Sequence, residues 1–204
     1  MRRIGIMGGT FNPIHMAHLI LAERAYEQLQ LDEVIFMPSK KPPHKLEEVI
    51  VEDSYRAHMV KLAIQDNPHF RISTLELERE GITYTVDTLR ELKIMYPDDL
   101  FFFIIGGDSL LSFEQWKEPK EILGLTHVVA TGRDSLSEKV ILDKINYLQV
   151  TMNGSIHYLQ IPNMDLSSSY IRKLRNLNKS IKYYVPNEVE SYILEEKLYL
   201  ERED

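Results

Sequence analysis

Short apolar runs alternate with amphipathic stretches along this chain. Ile4 to Met7 is a brief apolar run that stops at Gly8-Gly9, which predicts a buried strand. Leu19, Ala22, Tyr26 and Leu29 recur at helical spacing and predict a helix with one buried face. Val34 to Met37 predicts a second strand, stopped by Pro38. Together these make a strand–loop–helix–strand unit of the length a right-handed crossover needs. Pro38 to Glu52 carries Pro38, Pro42 and Pro43 and reads as a surface loop. Ser54 is placed to cap a helix reaching about Asp66, and Phe70 to Leu77 alternates as a half-exposed strand would. Thr85 to Tyr96 predicts a helix ended by Pro97, and Phe101 to Ile105 a central strand followed by Gly106-Gly107-Asp108. Val128 to Ala130 and Ile156 to Ile161 complete six strands; Ser167 to about Asn176 and Asn187 to Leu198 read as terminal helices. This alternation predicts an α/β protein with a mostly parallel sheet covered on both faces. Both glycine turns follow strands, so they are expected to line one crevice at the carboxyl ends, where the strand order reverses.

Composition narrows the class. The 204 residues are 44% hydrophobic and 27% charged, which is ordinary for a folded domain. The absence of cysteine excludes disulfides, thiolate nucleophiles and cysteine zinc sites, and fits a reducing compartment. Lys+Arg of 24 against Asp+Glu of 31 leaves a net charge of −7, which argues against a long nucleic acid as partner but not against a small anion in a local pocket. The longest apolar run, Leu100 to Ile105, falls far short of the roughly 18 residues of a membrane helix. A cytoplasmic protein without a membrane partner is expected; a homo-oligomer stays open.

Two segments have the residue types for phosphate chemistry. In Gly8-Gly9-Thr10-Phe11-Asn12-Pro13-Ile14-His15-Met16-Ala17-His18, glycines allow backbone amides to approach an anion, and a helix starting near His15 aims its positive end at the same place. His15 and His18 share a helix face and are suited to donate to phosphate oxygens. A tight turn with two surface histidines is the plain alternative, and a metal would need a third ligand. The segment is neither a Walker loop nor the dinucleotide glycine fingerprint. In Leu166-Ser167-Ser168-Ser169-Tyr170-Ile171-Arg172, serines open a helix and Arg172 lies a turn inside it. An ordinary capped helix with an exposed arginine would look the same.

Taken together, the two segments resemble the GGTFxPxHxGH and ISSTxIR signatures of adenylyltransferases in the nucleotidyltransferase superfamily. The resemblance extends to the bacterial nicotinate-nucleotide adenylyltransferases through Pro42-Pro43-His44-Lys45, Thr83-Tyr84-Thr85-Val86-Asp87-Thr88-Leu89, and Ile105-Gly106-Gly107-Asp108-Ser109-Leu110 followed by Trp116. The matches run in order from residue 4 to residue 172. Ala17 stands where the family usually has glycine, and Ser169 where it has threonine. Thr131-Gly132-Arg133-Asp134 lacks the family's arginine-proline-glycine, so no role is assigned to Arg133.

The resemblance implies a Rossmann-like, doubly wound, mostly parallel sheet with a small C-terminal helical portion from about residue 166, in one domain of residues 1–204. It implies transfer of AMP from ATP to nicotinate mononucleotide, giving deamido-NAD and pyrophosphate. By the same likeness, Gly8, Gly9, Thr10 and Phe11 bind ATP, with Gly106 and Asp108 at a nucleoside. His15, His18 and Arg172 act on the phosphates in catalysis, joined by Ser168 and Ser169. Trp116 stacks on the pyridine ring, Thr85 recognises its carboxylate, and His44 and Lys45, beside Lys41, attract the mononucleotide phosphate. Mg2+ would arrive mainly through the ATP phosphates, with no metal ligands assigned to the protein. The competing readings are the same chemistry on nicotinamide mononucleotide or phosphopantetheine, and a non-catalytic nucleotide-binding module.

Overall fold

A computed structural model describes residues 1–40, 50–132, 138–162 and 164–200. Its sheet runs β3-β2-β1-β4-β5-β6, with every neighbouring pair parallel. The strands are β1 (Arg3–Gly9), β2 (Glu33–Pro38), β3 (Phe70–Ile72), β4 (Leu100–Gly106), β5 (His127–Thr131) and β6 (Ile156–Leu159). Chain order reverses between β1 and β4, so the turns after these two strands meet at one end of the sheet, as expected from the glycines.

Helices cover both faces. One face carries α1 (Met16–Gln28), α2 (Asp53–Ile64), α8 (Ser168–Asn176) and α9 (Asn187–Glu195); the other carries α4 (Thr85–Met95), α5 (Gly107–Leu111), α6 (Pro119–Leu125) and α7 (Glu138–Met152). The central strands are apolar on both sides because they feed both cores. Phe102 and Ile104 pack toward α1 and α2, while Phe101, Phe103 and Ile105 pack toward α4 and α7. Ile171 and Ile193 share the first of these cores with Met7 and Phe36. Among the described residues no helix is long and apolar enough to cross a membrane.

Several local expectations change. The strand at Phe70 ends at Ile72, and the chain turns into a single helical turn, α3 (Leu75–Glu78). Thr74 drives that turn: its carbonyl accepts from Leu77 N at 2.8 Å, and its hydroxyl donates to Glu78 Oε1 at 2.6 Å. Ser54 lies inside α2, with Glu52 at the N-cap position. The fully buried line of α1 is alanine (Ala22 and Ala25), with Leu19, Tyr26 and Leu29 packed at its edges, so the helix sits close to the sheet. The sequence pattern assigns no helix between β5 and β6, yet α7 is there. Ile141, Ile145 and Leu148 bury one side, while exposed Val140, Leu142, Tyr147 and Val150 blur its periodicity.

The amino end of β1 is pinned to the turn before β4. Asp99 accepts from Arg2 N at 2.9 Å and from Arg2 Nη2 at 2.7 Å. The Arg2 side chain, and next its backbone N–H, hold the Asp99 carboxyl below the usual aspartate range. A carboxyl depressed in the folded state stabilises it above the unfolded pKa, about 4. That contribution disappears as pH falls through the folded value. Urea midpoints of the wild type should therefore drop more steeply below pH ~4 than those of Asp99→Asn; parallel acid limbs would remove the link.

Candidate active site

Strand β1 delivers Gly8 and Gly9 to the sheet's carboxyl end, and the chain then turns through Thr10 to Ile14 into α1. Gly8 is exposed. Gly9 leaves room for Phe11: a Cβ built on it would lie 3.0 Å from the Phe11 ring. The ring is 2% exposed, packed edge-on to His18 at 5.1 Å and against Phe36 at 6.0 Å. Phe11 thus serves this loop with its backbone, while its side chain belongs to the core.

His15 stands at the N-cap of α1 and is buried. Its ring stacks on half-buried His18 with centroids 3.7 Å apart. The His15 backbone N–H donates to His18 Nδ1 at 3.3 Å. An Nδ1 that accepts leaves the proton of the neutral ring on Nε2. The outer imidazole is therefore set as a donor, in the first turn of a helix whose positive end faces the same turn.

The second predicted segment comes to the same loop. Ser167 caps α8 by accepting from Tyr170 N at 3.2 Å and lies 3.0 Å from the Ser169 hydroxyl. Ser168 Oγ donates to the Pro13 carbonyl at 2.8 Å, and Arg172 Nη1 to the Asn12 carbonyl at 2.9 Å. Half-buried Arg172 reaches across 160 positions of sequence to do so. Exposed Ser169 takes no part in this clamp.

Gly106 caps the short helix α5 after β4, and nothing lies within 4 Å of a Cβ built there. Asp108 in that turn is exposed. On the α4 side, Thr85 opens its helix after Tyr84. Half-buried Trp116 follows a 3-10 turn, Phe113–Gln115, and packs against Phe113 at 5.3 Å and edge-on to Phe103 at 6.2 Å. Lys117 ties the two segments, since its Nζ lies 4.6 Å from the centre of the Tyr84 ring and 3.0 Å from Asp87 Oδ2. Lys117 foremost, then Arg90, holds the Asp87 carboxyl below the usual range. Lys41, His44, Lys45 and Arg133 fall outside the described residues.

The sequence reading missed Arg56. It sits on α2 with no exposed surface. Its Nη1 donates to the Thr10 carbonyl at 2.6 Å, and Nη2 to the Lys40 carbonyl at 3.1 Å and Asp53 Oδ1 at 2.5 Å. The signal was available in the helical period: Arg56 precedes Met59, Val60 and Ile64 at spacings of the buried stripe, where an arginine is out of place. Among the described residues, two other histidines have partners elsewhere in the fold. His69 pairs with Tyr26, and His127 lies at the amino end of β5, with Nδ1 2.8 Å from Ser155 Oγ.

The turns after β1 and β4 and the start of α8 thus gather at the reversal point of a parallel sheet, a place where ligands bind in open α/β folds. The Cytidylyltransferase-like family matches residues 6–174, and the chain belongs to that family. It is 48% identical to the "Probable nicotinate-nucleotide adenylyltransferase" of Lachnoclostridium phytofermentans, over 98% of this chain and 100% of the relative. It is 40% identical to the protein of that name from Carboxydothermus hydrogenoformans, over 97% of this chain and 98% of the relative. Its place is thus among the nicotinate-nucleotide adenylyltransferases. In fold it matches the Plasmodium falciparum nicotinic acid mononucleotide adenylyltransferase, solved with APC and with NaAD. The TM-score is 0.79 at 22% identity, over 98% of each chain.

Nitrogen-15 NMR of histidine-labelled protein above the imidazole pKa should show His18 as the Nε2–H tautomer. An Nδ1–H signal would mean that the His15 amide does not set this ring.

Proposed function

We propose that this chain transfers the adenylyl group of ATP to nicotinate mononucleotide, forming deamido-NAD and pyrophosphate in NAD biosynthesis. The observation that carries the reading is the convergence of Ser168 and Arg172 on the carbonyls of Pro13 and Asn12. Two distant segments with phosphate-binding residue types meet at one turn, in a chain whose relatives bear this activity in their names.

In the proposed reaction a 5′-phosphate oxygen of the mononucleotide attacks the α-phosphorus of ATP. A new P–O bond forms as the bond from the α-phosphorus to the bridging oxygen breaks, and pyrophosphate leaves with that electron pair. A phosphate monoester is largely ionised at neutral pH, its second pKa being about 6, so no strong general base is required. The protein then contributes alignment and charge stabilisation. Amides of Gly8, Gly9, Thr10 and Phe11 line the phosphates. The His18 Nε2–H, backed by His15, donates to an oxygen that gains charge. Arg172, with Ser168 and Ser169, serves the leaving pyrophosphate.

Mg2+ fits as a passenger of ATP, because it is a hard cation that takes oxygen ligands, whereas the turn offers amides, imidazoles and a guanidinium, which suit phosphate oxygens. Bound there, it would neutralise phosphate charge. Gly106 and Asp108 are assigned to a nucleoside. The half-buried face of Trp116 suits a flat pyridine ring, with Thr85 at its carboxylate. His44 and Lys45 are assigned to the mononucleotide phosphate on sequence grounds.

Pyrophosphate release with ATP and Mg2+ should be fastest with nicotinate mononucleotide, compared with nicotinamide mononucleotide and phosphopantetheine. Preference for another acceptor would keep the chemistry and overturn the pocket assignment. No turnover from a folded chain that binds ATP would favour a binding module. His18→Ala should lower kcat by roughly 10²–10³-fold with only a few-fold change in the Kd for ATP. Equal losses in both would make His18 a binding residue only.

A further inference from the structure

We infer that Arg56 is a positioning residue for the phosphate cradle, acting through the Phe11 amide; this rests on the functional reading above. Three observations meet at the Thr10–Phe11 peptide. First, Arg56 is wholly buried and gives Nη1 to the Thr10 carbonyl at 2.6 Å. Second, Phe11 holds φ of +48°, a left-handed conformation that a bulky residue keeps only when its surroundings over-determine it. Third, no group among the described residues accepts a hydrogen bond from the Phe11 N–H.

Peptide geometry joins these facts. The only cis bond among the described residues is Asn12–Pro13, so the Thr10–Phe11 peptide is trans. In a planar trans peptide the N–H points opposite to the C=O. Drawing the Thr10 carbonyl down onto Arg56 therefore turns the Phe11 N–H away from α2. Gly8 at the end of β1 is exposed and His18 is half-buried, and the proposed orientation puts the Phe11 N–H on that same open side. The left-handed Phe11 lets successive amides face one concave surface, the geometry of a backbone anion nest. Phe11's ring, wedged between Phe36 and His18, holds the other end of the same peptide.

The fork of Arg56 explains why this position is not a lysine. The Lys40 carbonyl at 3.1 Å and the Asp53 carboxylate at 2.5 Å share Nη2, while Nη1 stays on Thr10. A single ammonium cannot hold those directions in a planar array. Arg56 thus joins the turn after β1 to Lys40 after β2, and it touches neither substrate in the proposed reaction.

The test separates positioning from mere structural support. Arg56→Lys and Arg56→Ala are compared with wild type for kcat, for KM of each substrate, and for Kd of ATP and of adenosine. Urea unfolding reports whether each variant is folded. Turnover by the wild type is measured first, and its absence counts against the functional reading, leaving the two Kd values to test Arg56. The expected result for folded Arg56→Lys is a kcat at least ten-fold lower and ATP binding at least five-fold weaker, with adenosine affinity within two-fold. Guanidinium at millimolar concentration should restore part of the kcat of Arg56→Ala, and should leave wild type unaffected. Unchanged kcat and ATP affinity in folded Arg56→Lys would overturn the inference. So would equal losses for ATP and adenosine, which mark general loosening of the site. If Arg56→Ala does not fold, Arg56→Lys alone decides.

Discussion

A loop that leaves a sheet among buried side chains must find partners for its backbone carbonyls, because an unpaired buried polar group is costly. Here the carbonyls of Thr10, Asn12 and Pro13 are each taken by a side chain from elsewhere: Arg56, Arg172 and Ser168. Everything that gives the turn its chemical character follows from that capture. With these oxygens bonded to side chains, the proposed function leaves the turn's amides and His18 to meet the phosphates. The helices α2 and α8 are therefore part of the site although neither leads directly from the strands that form it.

The strand pattern was readable because the central strands are buried on both faces. A run such as Phe101 to Ile105 has no polar alternation to confuse. The crevice could be expected from two glycine turns, each directly after such a strand. Where the reading failed, two signals competed. Phe70 to Leu77 alternates as a strand would, yet the Thr74 hydroxyl and carbonyl favour a turn, and only three residues pair with β2. In α7, apolar residues on the exposed side hid the line of Ile141, Ile145 and Leu148. Arg56 escaped notice because an isolated arginine on a helix usually faces solvent. Its burial depends on carbonyls 46 and 16 positions away, which no local pattern reports.

The overall charge of −7 opposes anionic nucleotides at long range, yet the cations lie where distance matters. At physiological ionic strength charges separated by more than about 8 Å are largely screened. Arg172 lies within hydrogen-bond reach of the first turn, donating to the Asn12 carbonyl at 2.9 Å, so affinity can be local while the surface stays acidic. The carboxylates around α4 are themselves engaged: Arg90 takes Asp87, Glu118 and Glu121, and Lys117 takes Asp87. Those pairings keep negative charge occupied beside Trp116 and Thr85.

The reach of α8 back to the first turn sets an order in time. The partners of Pro13 and Asn12 lie 155 and 160 residues downstream. On the ribosome, at roughly 5–20 residues per second, the glycine turn would wait on the order of ten to thirty seconds for them. Through that interval β1, α1 and β2 can pair, and α2 can bring Arg56 to Thr10, but Ser168 and Arg172 have not yet been made. A nascent chain halted before α8 would carry the glycines and histidines and still lack a finished turn.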